Sequence, residues 1–547
     1  TSALCIGGAE PTRVGDKRKI DEILTTDLFE AIENNNGMGV KTVLEQDPEL
    51  VDIEYRGTGS TGLMVAAKNG YDAVVNELLN YRARVNTQNS YGSTPLMLAA
   101  ENGHSEVVNE LLVRGAEINT QSKKGSTALM LAAYNGHSEV VVLLIMKWAT
   151  KINTQNNDGW TALMYAAENG HGAVVEALLG RGAEVDTQNR KGWTALMYAA
   201  HNRLGMAVNA LLNMGAEVNT QNTDGNTALM HAAYKGNIEV VNILLDRDAE
   251  VNTQNKDNIT ALMFAAQNGH AAVVNALLDR GAEIETQSPR GNTALISAAT
   301  QGHVEVVNIL LDRNANVDNQ LEQYKTVPYV FQKHIQGIPR GNATALMWAA
   351  KNGHDKVVNI LIERGADVGD VLAAASTHGY DNVVIKLLEH GVDPDIVVSN
   401  DGDTALMLAS LRGKSLVVKA LLKRRERSQR GQGITAPAEV NLKNNKGTTA
   451  LMLAVVGGYY WVVVTLLRSG ANVNLQNNKG MTALMYAAQK GNIRMVNKLL
   501  QYGADALLVN TDNNTAQHLA VNYWQVSQRL DNHIQTDDSD DSVSYQP

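Results

Sequence analysis

The chain has 547 residues, 44% of them hydrophobic and 19% charged, with only 9 prolines. That composition excludes a disordered chain, and the length is several times that of one compact core. A net charge of −10 excludes general affinity for nucleic acid or anionic membranes outside a local basic patch, and the single cysteine, Cys5, excludes an intrachain disulfide or thiolate metal site.

Residues 1–25 form a flank with no apolar signal core, and no run of 18 apolar residues occurs anywhere, so neither secretion by a leader nor a membrane span is expected. A lone cysteine fits a reducing compartment, which makes the cytoplasm the expected location and the nucleus the alternative. Because the first residue is Thr1 and not Met, a longer parent protein with an activity of its own stays an open reading.

From there the chain repeats itself. The phrase Thr-Ala-Leu-Met or a close variant starts at Thr61, Thr94, Thr127, Thr161, Thr194, Thr227, Thr260, Thr293, Thr344, Thr404, Thr449 and Thr482, most starts lying 33 residues apart. Weaker copies open at Thr26, around Gly369 and at Thr515, which gives about 15 units, the divergent end copies reading as caps.

Within one unit, Thr260–Gly269 predicts a short helix capped by its threonine and ended by its glycine. His270–Gly281 predicts a second helix, with Val273, Val274, Leu277 and Leu278 on one face. The stretch Ala282–Gly291 has turn chemistry, as do Asn157-Asp158-Gly159 and Thr223-Asp224-Gly225 in sister units. Neither helix is long enough to hold together alone, so stacking on neighbours must supply the core. Such stacking predicts an extended rod with a long concave face and no enclosed cavity.

These residues resemble the ankyrin repeat. Gly92-Ser-Thr-Pro-Leu-Met-Leu-Ala-Ala-Glu-Asn-Gly-His-Ser-Glu-Val-Val-Asn-Glu-Leu-Leu112 follows that family's pattern almost letter for letter, and the resemblance covers about residues 26–525. It implies an all-α ankyrin-repeat solenoid of about 15 helix-turn-helix units with short hairpin loops. The first block of repeats is 26–318 and the second 343–525, separated by an insertion at 319–342 and interrupted by a basic insertion near 423–437. Residues 526–547 read as an acidic C-terminal tail, whose run Asp537–Ser542 reads as a disordered, solubilising terminus, with cation binding or phosphorylation as the alternative. Two departures are consistent: Ala usually replaces the family's proline and Met its histidine, so the family's Thr–His hydrogen bond should be absent. The Met stripe, Met64 to Met485, reads as gap-filling core in preference to a soft-metal ladder.

No nucleophile elbow, Walker loop, dinucleotide fingerprint or zinc-spaced Cys/His cluster is present, so no catalytic residue, metal or cofactor is assigned. His104, His137, His171, His270, His303 and His354 share one repeat position after a glycine and read as structural. The run Lys423–Arg430 reads as a solvated loop, with nuclear import or phosphate binding as rivals.

What remains is a protein-binding surface. In the ankyrin family, partners touch the loop tips, the residue before the threonine and the pair after Ala-Ala. Carried over, these positions hold Trp160, Trp193 and Ile259, and Tyr134, Glu168, His201, Tyr234 and Lys235. Large aromatic anchors at adjacent repeat positions fit an interaction hot spot, and covering of the neighbouring hairpin is the bland alternative. Tyr165, Tyr198 and Phe264, after the methionine, read as packing between repeats. The insertion, about 18 residues longer than the period allows, adds contact candidates Tyr324, Tyr329 and Phe331, and the unit near Gly369, short of its hairpin, reads as a hinge. The resemblance implies a monomeric scaffold or adaptor holding a protein partner on its concave and loop-tip surface. The alternative is the recognition module of a larger enzyme or a pathogen effector.

Overall fold

A computed structural model describes residues 14–541 other than Arg56, Thr58, Trp148, Arg290, 320–343 and 424–435. Tyr324, Tyr329 and Phe331, and the basic run beyond Lys423, lie outside the described residues. The fold is an all-α ankyrin-repeat solenoid, with one two-residue antiparallel ribbon, Glu54–Tyr55 against Ser60–Thr61, among the described residues.

The chain divides into two compact units. The first runs to Ala261 with Asp279–Ala282, the second takes Leu262–Leu278 and continues from Glu283. In the first unit the leading helices, from Gly62–Asn69 through Pro95–Glu101 and Ala128–Asn135 to Ala228–Lys235, pack side by side in sequence order. The following helices, from Asp72–Asn80 to Ile238–Leu245, form a parallel row. Residues such as Leu63, Val74, Val75 and Leu78 are wholly buried between the rows, each worth about 1.5–3 kcal/mol.

The second unit repeats the scheme from Ala294–Gln301 to the short helix Ala516–Leu519, with second helices from Val304–Asp312 to Trp524–Asp541. The stack is continuous across the insertion, because Nε2 of His354 reaches the carbonyl oxygen of Thr300 at 3.0 Å as its sisters reach theirs. Near Gly369 the hairpin is missing, yet helix Val368–His378 packs on both Ala345–Lys351 and Ala405–Leu411. The unit expected to be a hinge is thus packed on both sides.

Local chemistry explains each unit. The threonine hydroxyl accepts from the backbone N–H three residues on, Thr94 from Met97 and Thr161 from Met164 at 3.3 Å, which caps the first helix. Helices end in left-handed glycines such as Gly136 and Gly170. The methionine stripe is core, Met64 and Met347 being fully buried. Thr61 and Thr404 stand before Met64 and Met407 without this cap bond, and the Thr61 hydroxyl is buried with no partner. The last copy keeps a histidine, and there the Thr–His contact is present, Nδ1 of His518 lying 2.9 Å from the Thr515 hydroxyl.

Both ends differ from the sequence reading. A helix runs Val14–Glu33 straight through Thr26, whose hydroxyl bonds back to the Glu22 carbonyl at 2.8 Å and caps nothing. The tail expected to be disordered is helical to Asp541.

Candidate partner-binding surface

The hairpin before most first helices is an Asx turn, with a serine hydroxyl in the same place at Ser122, Ser288 and Ser399. In the unit opening at Thr161, Oδ1 of Asn156 accepts from the backbone N–H groups of Asp158 and Trp160 at 2.9 Å each, which fixes the tryptophan backbone. Asn189 does the same for Lys191 and Trp193.

Nine residues on, the tyrosine after the methionine reaches back to the same asparagine in both units. The amide of Asn156 donates to the Tyr165 hydroxyl at 2.8 Å, and that of Asn189 to the Tyr198 hydroxyl at 2.9 Å. Each tyrosine ring is thereby pinned against the tryptophan of its own unit: Trp160 stacks on Tyr165 at 4.8 Å, and Trp193 lies over Tyr198 at 4.7 Å.

The rings also interleave between units. Trp160 contacts Tyr198 of the next repeat at 4.6 Å, and Trp193 contacts His231 of the next at 4.1 Å. Tyr134 meets Tyr165 edge-on at 5.6 Å, and His201 meets both Trp193 and His231 edge-on. The result is a continuous ladder of seven rings, Tyr134, Trp160, Tyr165, Trp193, Tyr198, His201 and His231, crossing four repeats. Offset and edge contacts at these separations are the favoured aromatic geometries.

The ladder has a wet edge and a dry one. Tyr134 is 48% exposed and Tyr234 44%, Trp160 and Trp193 are half-buried, and Tyr198 and His231 are buried. Burial pushes the Tyr198 phenol up to about 12 and raises that of Tyr165. Burial also raises the Glu168 carboxyl, which sits half-buried at the end of helix Ala162–Asn169. Burial, reinforced by His201, lowers the His231 imidazole to about 3, while His201 is lowered by burial and then by Lys235. Both imidazoles are therefore neutral at pH 7. Nδ1 of His201 and Nε2 of His231 are buried without a hydrogen-bond partner.

Of the positions predicted from sequence, Tyr134, Trp160, Trp193 and His201 join the ladder, and Glu168, Tyr234 and Lys235 flank it, the Lys235 ammonium lying 5.8 Å from the Tyr234 ring. Ile259 is half-buried at the equivalent loop position, held by Asn255 at 2.8 Å, and contributes no ring. Each tryptophan lies between rings of its own repeat and of the next, Trp160 between Tyr165 and Tyr198 and Trp193 between Tyr198 and His231. Missed in the sequence were His231 as a ladder member and the part played by Tyr165 and Tyr198. A signal existed: the residue after the methionine is aromatic or His in four successive units, Tyr165, Tyr198, His231 and Phe264.

Among the described residues no group of three His, Cys, Asp or Glu side chains could hold a metal ion, and no helix is long and apolar enough to cross a membrane. A search of curated proteins found no match. Family models do match: ankyrin repeats in three copies at residues 28–122, 106–189, 181–255, 262–371 and 371–477, and ankyrin repeats in many copies at 466–520. Ankyrin repeats are generally non-enzymatic modules for protein–protein interaction. With the capped helix pairs, the left-handed glycines and the period all accounted for by those matches, the chain belongs to the ankyrin-repeat family.

Proposed function

We propose that the protein is a scaffold or adaptor that captures a partner protein on the ring ladder between Tyr134 and Lys235. The observation that carries this is the interleaving itself. Rings already fixed by stacking and by Asn156 and Asn189 lose little side-chain freedom when a partner covers them, so their apolar area converts efficiently into affinity. Tryptophan and tyrosine are also the residues on which interface energy concentrates.

The flanking charges set specificity. Glu168 and Lys235 stand beside the rings, so a partner that removes them from water must offer a donor to the first and an acceptor to the second. Neutral His201 suits an apolar contact at pH 7.

Affinity capture with the immobilised protein tests the proposal. The double variant Trp160→Ala, Trp193→Ala should weaken retention of the bound partner at least about tenfold, with helix content by circular dichroism unchanged. Retention equal to that of the native protein would sink the proposed site.

A further inference from the structure

We infer that the outer helices of the last repeats form a second docking surface, for an acidic segment of a partner protein that carries an aliphatic or aromatic anchor. It lies within the second unit and shares no residue with the ring ladder.

The charge pattern comes first. Helices Ser415–Leu422, Tyr460–Arg468 and Ile493–Gln501 pack side by side in that order and contain no aspartate or glutamate, nor do the helices that pair with them, Ala405–Leu411, Ala450–Gly457 and Ala483–Gln489. Their outward positions instead present Lys419, Arg468, Arg494 and Lys498, with Lys423 just past the first helix. None of these cations has a carboxylate partner among the described residues, in a chain whose net charge is −10. The corresponding helices of the first unit have the opposite character: none carries a lysine or arginine, and all but Gly205–Asn213 carry carboxylates such as Glu106 and Glu110.

The same face exposes large apolar groups at a position that holds Glu106, Glu139 and Glu239 in three repeats of the first unit, where Met206 is the one large apolar residue. Leu416 is 60% exposed and Trp461 68% exposed, at the repeat position of Glu106. The Arg494 guanidinium lies 3.7 Å from the Tyr460 ring centroid and 5.8 Å from that of Trp461, so cation and ring of adjacent repeats are held together. Nε of Arg529 donates to Asn497 at 2.9 Å, which extends the aligned row by one repeat. Uncompensated cations around an exposed tryptophan and leucine match a segment alternating carboxylates with a hydrophobic anchor.

The same pattern fits single-stranded nucleic acid less well. Successive bases require successive open rings, whereas here the Tyr460 face is covered by Arg494, the Tyr459 ring is packed on Gly413, and Leu416 cannot stack.

Fluorescence anisotropy on the full chain, with a labelled synthetic peptide alternating glutamate with leucine, tests the inference. The peptide should bind at low ionic strength and weaken steeply with salt. Arg494→Glu with Lys498→Glu should weaken it at least about tenfold, and Trp461→Ala should weaken it too. The ladder variant Trp160→Ala, Trp193→Ala should leave it unchanged, so the two surfaces fail or succeed separately. Affinity indifferent to the charge reversal would overturn the inference. So would a peptide that does not bind while a single-stranded oligonucleotide or a phosphatidylserine vesicle binds through the same residues.

Discussion

Nε2 of His104 donates to the carbonyl oxygen of Lys68 in the preceding repeat at 3.0 Å, with its imidazole laid over Gly70. His137, His171, His303 and His354 reach back in the same way to Glu101, Tyr134, Gln267 and Thr300, each at 3.0 Å. A glycine that ends one helix is thus also the floor on which the next repeat's histidine rests.

The pairing makes those glycines doubly sensitive. At Gly103, φ is +78° and a Cβ would fall 2.6 Å from Nδ1 of His137. Gly103→Ala should cost at least about 1 kcal/mol from backbone strain alone, with the ring clash on top. In a double-mutant cycle by chemical denaturation, His137→Ala should relieve the clash and leave the strain, so the cost of Gly103→Ala should shrink but not vanish.

A second cross-repeat device runs along the hairpins of the first unit. The amide nitrogen of Gln188 donates to the carbonyls of Gly192 at 3.0 Å and of Gln221 in the next repeat at 3.2 Å, and Gln88, Gln121, Gln155 and Gln221 make the same two bonds. Gln188→Ala should cost roughly 1 kcal/mol, the lower end of two hydrogen bonds in a largely solvated setting. Hydrogen exchange should rise in the hairpins around Gln188 and Gln221 and stay unchanged in distant ones.

His231 supplies the pH dependence. Its folded value near 3 lies below the ordinary imidazole range near 6.5, so below that range the unfolded chain binds a proton the folded chain does not. Stability is therefore complete above pH 6.5 and falls as the pH drops toward 3, by about 2 kcal/mol at pH 5. Hydrogen exchange of helix Ala228–Lys235 should accelerate from pH 7 to 5, after correction for intrinsic rates. In His231→Phe that acceleration should largely disappear.

The repeat, its helix pairs and its caps were legible because each is local: Thr161, Gly170 and the spacing of Val174, Val175, Leu178 and Leu179 lie within one unit. The ring ladder was half legible. Trp160 and Trp193 stand out by size, whereas His231 belongs only because Trp193 of the preceding repeat lies over it, a contact between positions 38 apart in sequence. The glutamine bonds were hidden for the same reason, since a Thr-Gln-Asn phrase in a turn does not show that its amide bridges 33 residues. At the N-terminus the rule misled: Thr26 looks like a cap, but helix Val14–Glu33 already encloses it.

Hydroxyl-radical footprinting of the protein with and without its captured partner decides whether the ring ladder is where the partner docks. Tyr134, Trp160, Trp193 and Tyr234 should lose reactivity together on binding, while Met206, 80% exposed on the second helix of its repeat, keeps its own. Protection of Met206 with all four ladder-edge rings left reactive would contradict docking on the ladder.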